Sequence, residues 1–176
     1  MENVLTVREL QESDISHIAD YWHDSDPAFQ IGMGVDLSKL GDREGLVKGL
    51  TKQIATPYEE KRGYAIIWEL NGQSIGHCNV THIVFGEEAK MHLHMWVAVE
   101  RQKGLGTELV KKSIPYFFNN LKVKTLWCEP YALNPAPNRV LEKVGFEFIK
   151  QYRTVPGYIC FEQEVKRWRY EVRCKM

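Results

Sequence analysis

Apolar positions Val4, Leu5 and Val7 set among polar ones make residues 4–9 read as a first strand. Ser13-Asp14 then supplies a helix cap, and Ile15, Ile18, Ala19 and Trp22 follow at helical spacing. Residues 24–41 carry Pro27, three glycines and scattered aspartates, and are expected to form a long exposed loop. A second helix is predicted from Asp42 or Arg43 towards Ile54, ending before Pro57. Residues 64–70 and 73–83 read as strands joined by Asn71-Gly72, a hairpin signal. Residues 85–89 turn the chain into a further strand over 90–99. Leu105, Leu109, Val110, Ile114, Phe117, Phe118 and Leu121 recur at helical spacing, with Pro115 expected to kink or shorten that helix. A strand over 125–131 comes next, then a short helix from Pro137 or Asn138 to Val144, stopped by Gly145. Strands over 146–154 and 158–168 flank the turn Pro156-Gly157. The order β-α-α-β-β-β-α-β-α-β-β predicts an α/β (α+β) mixed sheet with helices on both faces.

The 176 residues suit one domain with its own core, spanning 1–176. Apolar residues make up 44% and charged residues 26%, an ordinary globular balance. Formal net charge is zero, which gives no reason to expect nucleic acid or an anionic membrane as partner. No apolar run approaches the roughly 20 residues that span a bilayer. Residues 1–10 lack the apolar stretch of a signal peptide, and Cys78, Cys128, Cys160 and Cys174 lack zinc-site spacing. A cytoplasmic protein with buried, reduced thiols is expected. The oligomeric state stays open, a homodimer included.

The chemistry concentrates after the apolar run 95–99, at Arg101-Gln102-Lys103-Gly104-Leu105-Gly106-Thr107. An extended segment turns through two glycines into a helix whose first amides have no internal partner. Those amides sit at the positive end of the helix dipole, an arrangement suited to a pyrophosphate. Further on comes Asn134-Pro135-Ala136-Pro137-Asn138-Arg139-Val140-Leu141-Glu142-Lys143-Val144-Gly145-Phe146. The two segments together resemble the signatures of the GNAT family of N-acetyltransferases: Arg-x-x-Gly-x-Gly, then Asn followed by a helix ending in Lys-x-Gly-Phe. Residues after Gly145, including Arg153, resemble the branch that contains ribosomal-protein N-terminal acetyltransferases.

The resemblance implies an acyl-CoA N-acyltransferase fold in which two central parallel strands, here 90–99 and 125–131, splay apart around pantetheine. It implies acetyl-CoA (coenzyme A) held by Trp96, Val97, Ala98, Arg101, Gln102, Lys103, Gly104, Leu105, Gly106, Thr107, Asn134 and Arg139. A backbone amide at Trp96 or a neighbour would face the thioester oxygen. The family's usual strand carboxylate falls at Lys90, and its frequent helix tyrosine at Leu141. Pro137 stands where the N-terminal branch often has serine. Tyr131 or Cys128 on the neighbouring strand could replace the missing acid.

Period-two alternation puts His92, His94 and Trp96 on one strand face and Met91, Leu93, Met95, Val97 and Val99 on the other. His92-Leu93-His94 resembles the His-x-His of the arylalkylamine branch, so His94 and His92 are the candidate catalytic pair, relaying a proton from the acceptor amine. Packed strand histidines are the competing reading. Metal binding would need His77 or His82 as third ligand, and no metal is expected. Aspartates at 24, 26, 36 and 42 could attract a cationic amine. The expected function is transfer of an acetyl group to a small-molecule amine or a protein N-terminus in a ternary complex. Its alternative is a non-catalytic acyl-CoA-binding module. A phosphate-binding α/β protein of Rossmann type is disfavoured, since its glycine turn should come early in the chain.

Overall fold

The computed structural model describes residues 3–101 and 104–171; Gln102, Lys103 and Cys174 lie outside the described residues. Seven strands form one sheet in the order β1-β2-β3-β4-β5-β7-β6. They are β1 (Leu5–Glu9), β2 (Gly63–Leu70), β3 (Gln73–Val84), β4 (Glu88–Met95), β5 (Thr125–Cys128), β6 (Glu147–Thr154) and β7 (Gln163–Glu171). Only β4 and β5 pair in parallel. The expected hairpin joins β2 to β3, with Asn71 and Gly72 both at positive φ (53° and 79°).

Helices α1 (Ile15–His23) and α3 (Arg43–Ala55) cover one face; α4 (Leu105–Leu121) and α5 (Pro135–Val144) cover the other. Strand β2 divides its side chains accordingly. Tyr64, Ile66 and Trp68 join the core under α4, whereas Ala65 and Ile67 join Leu10, Ile15, Ile18 and Leu50. Ile66 and Ile67 are fully buried, a gain of about 1.5–3 kcal/mol each. Arg8 of β1 clamps the buried Asp14 carboxylate at 2.6 and 2.9 Å, and the same carboxylate accepts the Gln11 amide. This fixes the start of α1 against the sheet.

Several boundaries differ from the sequence reading. Residues 24–41 are not one loop: they contain α2 (Pro27–Gly32), opened by Asp26 as cap with Pro27 behind it. Strand β4 stops at Met95, and Ala98–Glu100 forms a 3-10 turn. Pro115 leaves α4 unbroken, because it sits on the exposed side, where water can hydrate the carbonyl that loses its partner. Helix α5 begins earlier, at Pro135, since proline suits the first helical turn. Strand β5 ends at Cys128, with Tyr131 keeping only a bridge to Val165. Strand β7 starts at Gln163 because residues 158–161 turn aside to meet the segment that follows α2: Val35 pairs with Cys160, and the Asp36 amide donates to Ile159 O.

Candidate active site

Strands β4 and β5 pair at Glu88–Thr125, Ala89–Leu126 and Lys90–Trp127, and nowhere further. Beyond that point β4 runs on to Met95 while β5 ends, so a gap opens between them. The Trp96 and Val97 amides both donate to Ile75 O, at 2.8 and 3.3 Å, the two-to-one pattern of a β-bulge. The Trp96 amide expected to face a thioester is therefore engaged within the sheet. Because ladder bonds alternate, Leu93 and Met95 turn their backbone groups to the gap, where Met95 O is taken by Arg101 and the Leu93 groups and the Met95 amide are left. Unpaired strand groups of this kind fit the two amides of pantetheine.

At the end of the gap the chain enters α4 through Gly104, at φ +80°, a conformation that costs a glycine little. Among the described residues a Cβ at Gly104 would meet nothing within 4 Å. Gly106 serves the packing as well, because a Cβ there would lie 3.3 Å from Val140, so that α4 sits close on α5 at this point. Leu105 and Thr107 complete the half-buried first turn, and Val97 and Ala98 form the approach to it. Arg101 points away from the turn. Its Nε donates to Met95 O at 3.1 Å, its Nη2 to Trp96 O at 3.3 Å, and its guanidinium lies 3.6 Å from the centre of the Phe29 ring.

Asn134 stands at the start of α5 and makes no capping bond with its side chain, which leaves that amide for a ligand. Arg139 is exposed on the same helix. Asn138, missed in the sequence, is the buried organiser here. It donates to Tyr131 O and Asn134 O (3.1 and 2.8 Å) and accepts the Trp168 indole N–H at 2.9 Å. Leu141 is fully buried in the core, so the family's tyrosine slot is apolar.

On the α1 face, His77 of β3 stacks on His94 of β4 at 4.6 Å. Tyr21 and Trp22 of α1 meet the His94 ring edge-on at 5.5 and 5.1 Å. The Trp96 indole donates to His77 Nδ1 at 2.7 Å, which places the His77 hydrogen on Nε2. The Tyr21 hydroxyl lies 3.2 Å from His94 Nδ1 and donates to Met33 Sδ at 3.1 Å. The hydroxyl can take either role toward Nδ1; His94 Nε2 keeps its lone pair in the tautomer with the hydrogen on Nδ1, for which the hydroxyl is the acceptor. Burial, then the neighbouring histidines, drives the His94 pKa well below its usual value. Burial likewise lowers His77 to about 3. His92, lowered to about 4 by burial and then by the charge of Lys90, bonds through Nε2 to Thr81 Oγ1 at 2.8 Å. The cluster is neutral at pH 7. Tyr21 has no signal of its own in the sequence beyond lying three residues from Ile18 on the apolar stripe.

Beside it, Lys90 Nζ lies 2.5 Å from Glu129 Oε2 and donates to Pro156 O at 2.6 Å. Glu129 also accepts the Tyr152 hydroxyl and stands 3.5 Å from Arg167. Burial works to raise the Glu129 pKa, but Lys90, Tyr152 and Arg167 together hold it below the usual range. The carboxylate at this level thus comes from the end of β5, already paired. The aspartates of 24–42 are committed too. Asp26, Asp36 and Asp42 accept the Ala28, Ser38 and Gly45 amides, and Asp24 pairs with Arg43.

The family model for the Acetyltransferase (GNAT) domain matches residues 5–147. No curated protein sequence matches the chain. The spermidine N-acetyltransferase of Vibrio cholerae, solved with CoA and spermine, superposes with a TM-score of 0.75 at 18% identity over 95% of both chains. RimL, the ribosomal L7/L12 alpha-N-protein acetyltransferase solved with coenzyme A, gives 0.76 at 11% identity, over 95% of this chain and 93% of its own. A GNAT-family acetyltransferase from Streptococcus pneumoniae gives 0.69 at 17%, over 96% and 99%. The domain match and the opened β4–β5 pair lead to one conclusion: the chain belongs to the GNAT family and is an N-acetyltransferase.

Proposed function

We propose that the chain transfers the acetyl group of acetyl-CoA directly to a primary amine carried on an apolar body, both substrates being bound together. The observation behind this reading is the neutral His94, set among Tyr21, Trp22, His77 and Trp96 beside the gap. Acetyl-CoA supplies an activated thioester. The chain's own residues bind, polarise and move a proton. Gly104, Leu105, Gly106 and Thr107 offer helix N-terminal amides to the pyrophosphate, with Asn134 against pantetheine and Arg139 near the phosphates. The backbone of Leu93 and the Met95 amide hold the acyl arm, and their N–H groups polarise its carbonyl. His94 Nε2 takes the proton of the attacking amine, with His92 supporting it from the same strand face; the amide C–N bond forms, the thioester C–S bond breaks, and CoA leaves as the thiolate, which takes a proton from water or from His94.

Direct transfer is supported by the thiols. Burial raises all three described cysteines: Cys128 to about 12, Cys78 well above its usual value, and Cys160 less. A thiolate nucleophile is therefore disfavoured among them. An apolar acceptor is supported by the aromatic rings of Tyr21 and Trp22 that meet His94, with Trp96 beside His77. The neighbours act on a polyamine or on a protein N-terminus, so both belong in the test.

The experiment is release of CoA from acetyl-CoA with a panel of a phenyl-bearing primary amine, a peptide with a free apolar N-terminus, and spermidine. The apolar acceptors should turn over with at least tenfold higher kcat/KM than spermidine. Preference for spermidine would overturn the acceptor assignment. Tight CoA binding with no acetylation of any of the three amines would overturn the acceptor class proposed.

A further inference from the structure

Arg101 opens the coenzyme turn, yet its guanidinium is occupied on the acceptor side. It donates to Met95 O and Trp96 O and lies flat over Phe29 of α2. Among the described residues no carboxylate pairs with it. Burial accordingly lowers its pKa. Phe29 in turn meets Tyr21 edge-on at 6.2 Å, and Tyr21 holds His94 Nδ1 and Met33 Sδ. A continuous set of contacts therefore runs from the coenzyme turn to the proposed base: Arg101, Phe29, Tyr21, His94.

We propose that Arg101 is a positioning residue that couples the two substrates, holding α2 over the acceptor face until the coenzyme fills the glycine turn. An uncompensated cation at the edge of an anion site is the group a pyrophosphate attracts first, and arginine can bind phosphate through two parallel N–H donors. Moving there, the guanidinium gives up the Phe29 face and two carbonyls. Helix α2 has only six residues, too few to hold itself by backbone bonds alone. Its other ties lie away from the turn: Gln30 Nε2 donates to Trp22 O at 2.7 Å, and Gln163 Nε2 to Gly34 O at 2.9 Å. Release of Phe29 loosens the end of α2 that packs on Tyr21 while those ties keep the helix attached.

The proposal rests on the coenzyme reading above, and hydrogen exchange of residues 27–35 with and without CoA tests it without any acceptor. In the wild type, saturating CoA should speed exchange there by about fivefold, the ratio set by loss of one cation–π contact. Phe29→Leu keeps an apolar side chain but removes the ring. Exchange in that variant should already be fast, and CoA should change it less than twofold. Phe29→Tyr should restore the wild-type response. Calorimetry on the same samples separates the two readings. CoA bound with unchanged or slowed exchange overturns the coupling and spares the proposed function; no CoA binding overturns both. An equal rise in Phe29→Leu would also sink the coupling, since the ring would then play no part.

Discussion

On the coenzyme side of the gap the groups offered to a ligand belong to the backbone, whereas on the acceptor side they are side chains that already hold one another. The αL turn at Gly104 and the outward-facing Leu93 and Met95 need only a correct chain path. His94 has Tyr21 at its Nδ1, His77 and Trp22 packed on its ring, and α2 behind Tyr21. Backbone sites tolerate changes of side chain and bind what a whole family shares. Side-chain networks fail when one member is lost, and they carry what distinguishes one acceptor from another. The expected consequences of this contrast run from the largest effect to the smallest.

Replacing the base should separate the two sides most clearly. His94→Gln should lower kcat by about 100-fold or more, the scale of a lost general base, while CoA affinity by calorimetry stays within about twofold. In the wild type, burial moves the acidic limb expected near pH 6.5 for an ordinary histidine to lower pH, so kcat/KM should show no histidine limb above about 6.5. A limb at 6.5 that persists in His94→Gln would assign the proton to another group. The reverse experiment is Gly104→Val. Forcing a β-branched residue to φ +80° disrupts the turn and its amides, and two lost charge-assisted bonds correspond to about 100-fold weaker CoA binding. Gly104 is a cleaner target than Gly106, where added bulk would also push on Val140.

The same contrast explains what the sequence can reveal. Element order, the hairpin at Asn71-Gly72 and the glycine turn are legible because each rests on local rules: periodicity, turn chemistry and a capless helix start. Helix α2 is hidden because Asp26-Pro27, its cap and first residue, lies in a stretch whose glycines and aspartates read as loop. By composition those aspartates look equally like amine ligands and like caps; the fold uses Asp26, Asp36 and Asp42 as caps. The strand face of His92, His94 and Trp96 is legible from alternation, but their partners are not. Tyr21, His77, Phe29 and Met33 reach His94 or Tyr21 through tertiary packing, and Asn138 reaches Trp168 across 30 positions. Arg101 shows the limit of motif reading most directly, since its place in the signature is clear and its direction is not.

Acid should weaken the folded state through the acceptor side. His77 at about 3, His92 at about 4 and the still neutral His94 all lie below the unfolded value near 6.5. Between those limits the unfolded chain binds protons that the folded chain does not. Stability is therefore full above pH 6.5 and falls as pH drops towards 4, by up to about 1.4 kcal/mol per pH unit for each histidine. Urea unfolding at pH 7.5 and 5 measures this. His92→Gln should reduce the loss by roughly a third, and a pH-independent midpoint in the wild type would mean that the cluster is not protected from protons.

The smallest effect tests whether the acidic segment belongs to the acceptor site at all. Asp42 accepts the Gly45 amide at 2.6 Å and caps α3, on the rim of the face that carries Tyr21. As a cap, its loss in Asp42→Ala costs about 1 kcal/mol, visible as a drop of a few degrees in Tm. The amine KM should stay within about twofold, because the carboxylate is spent on the helix and not on a ligand. A ligand carboxylate would give the opposite pattern, an unchanged Tm with a several-fold higher KM that grows at low salt. Asp42→Asn decides between them, since asparagine caps nearly as well as aspartate but carries no charge. Restored Tm with an unchanged KM assigns the aspartate to the fold, and the specificity of the acceptor side then rests on the ring cluster around His94.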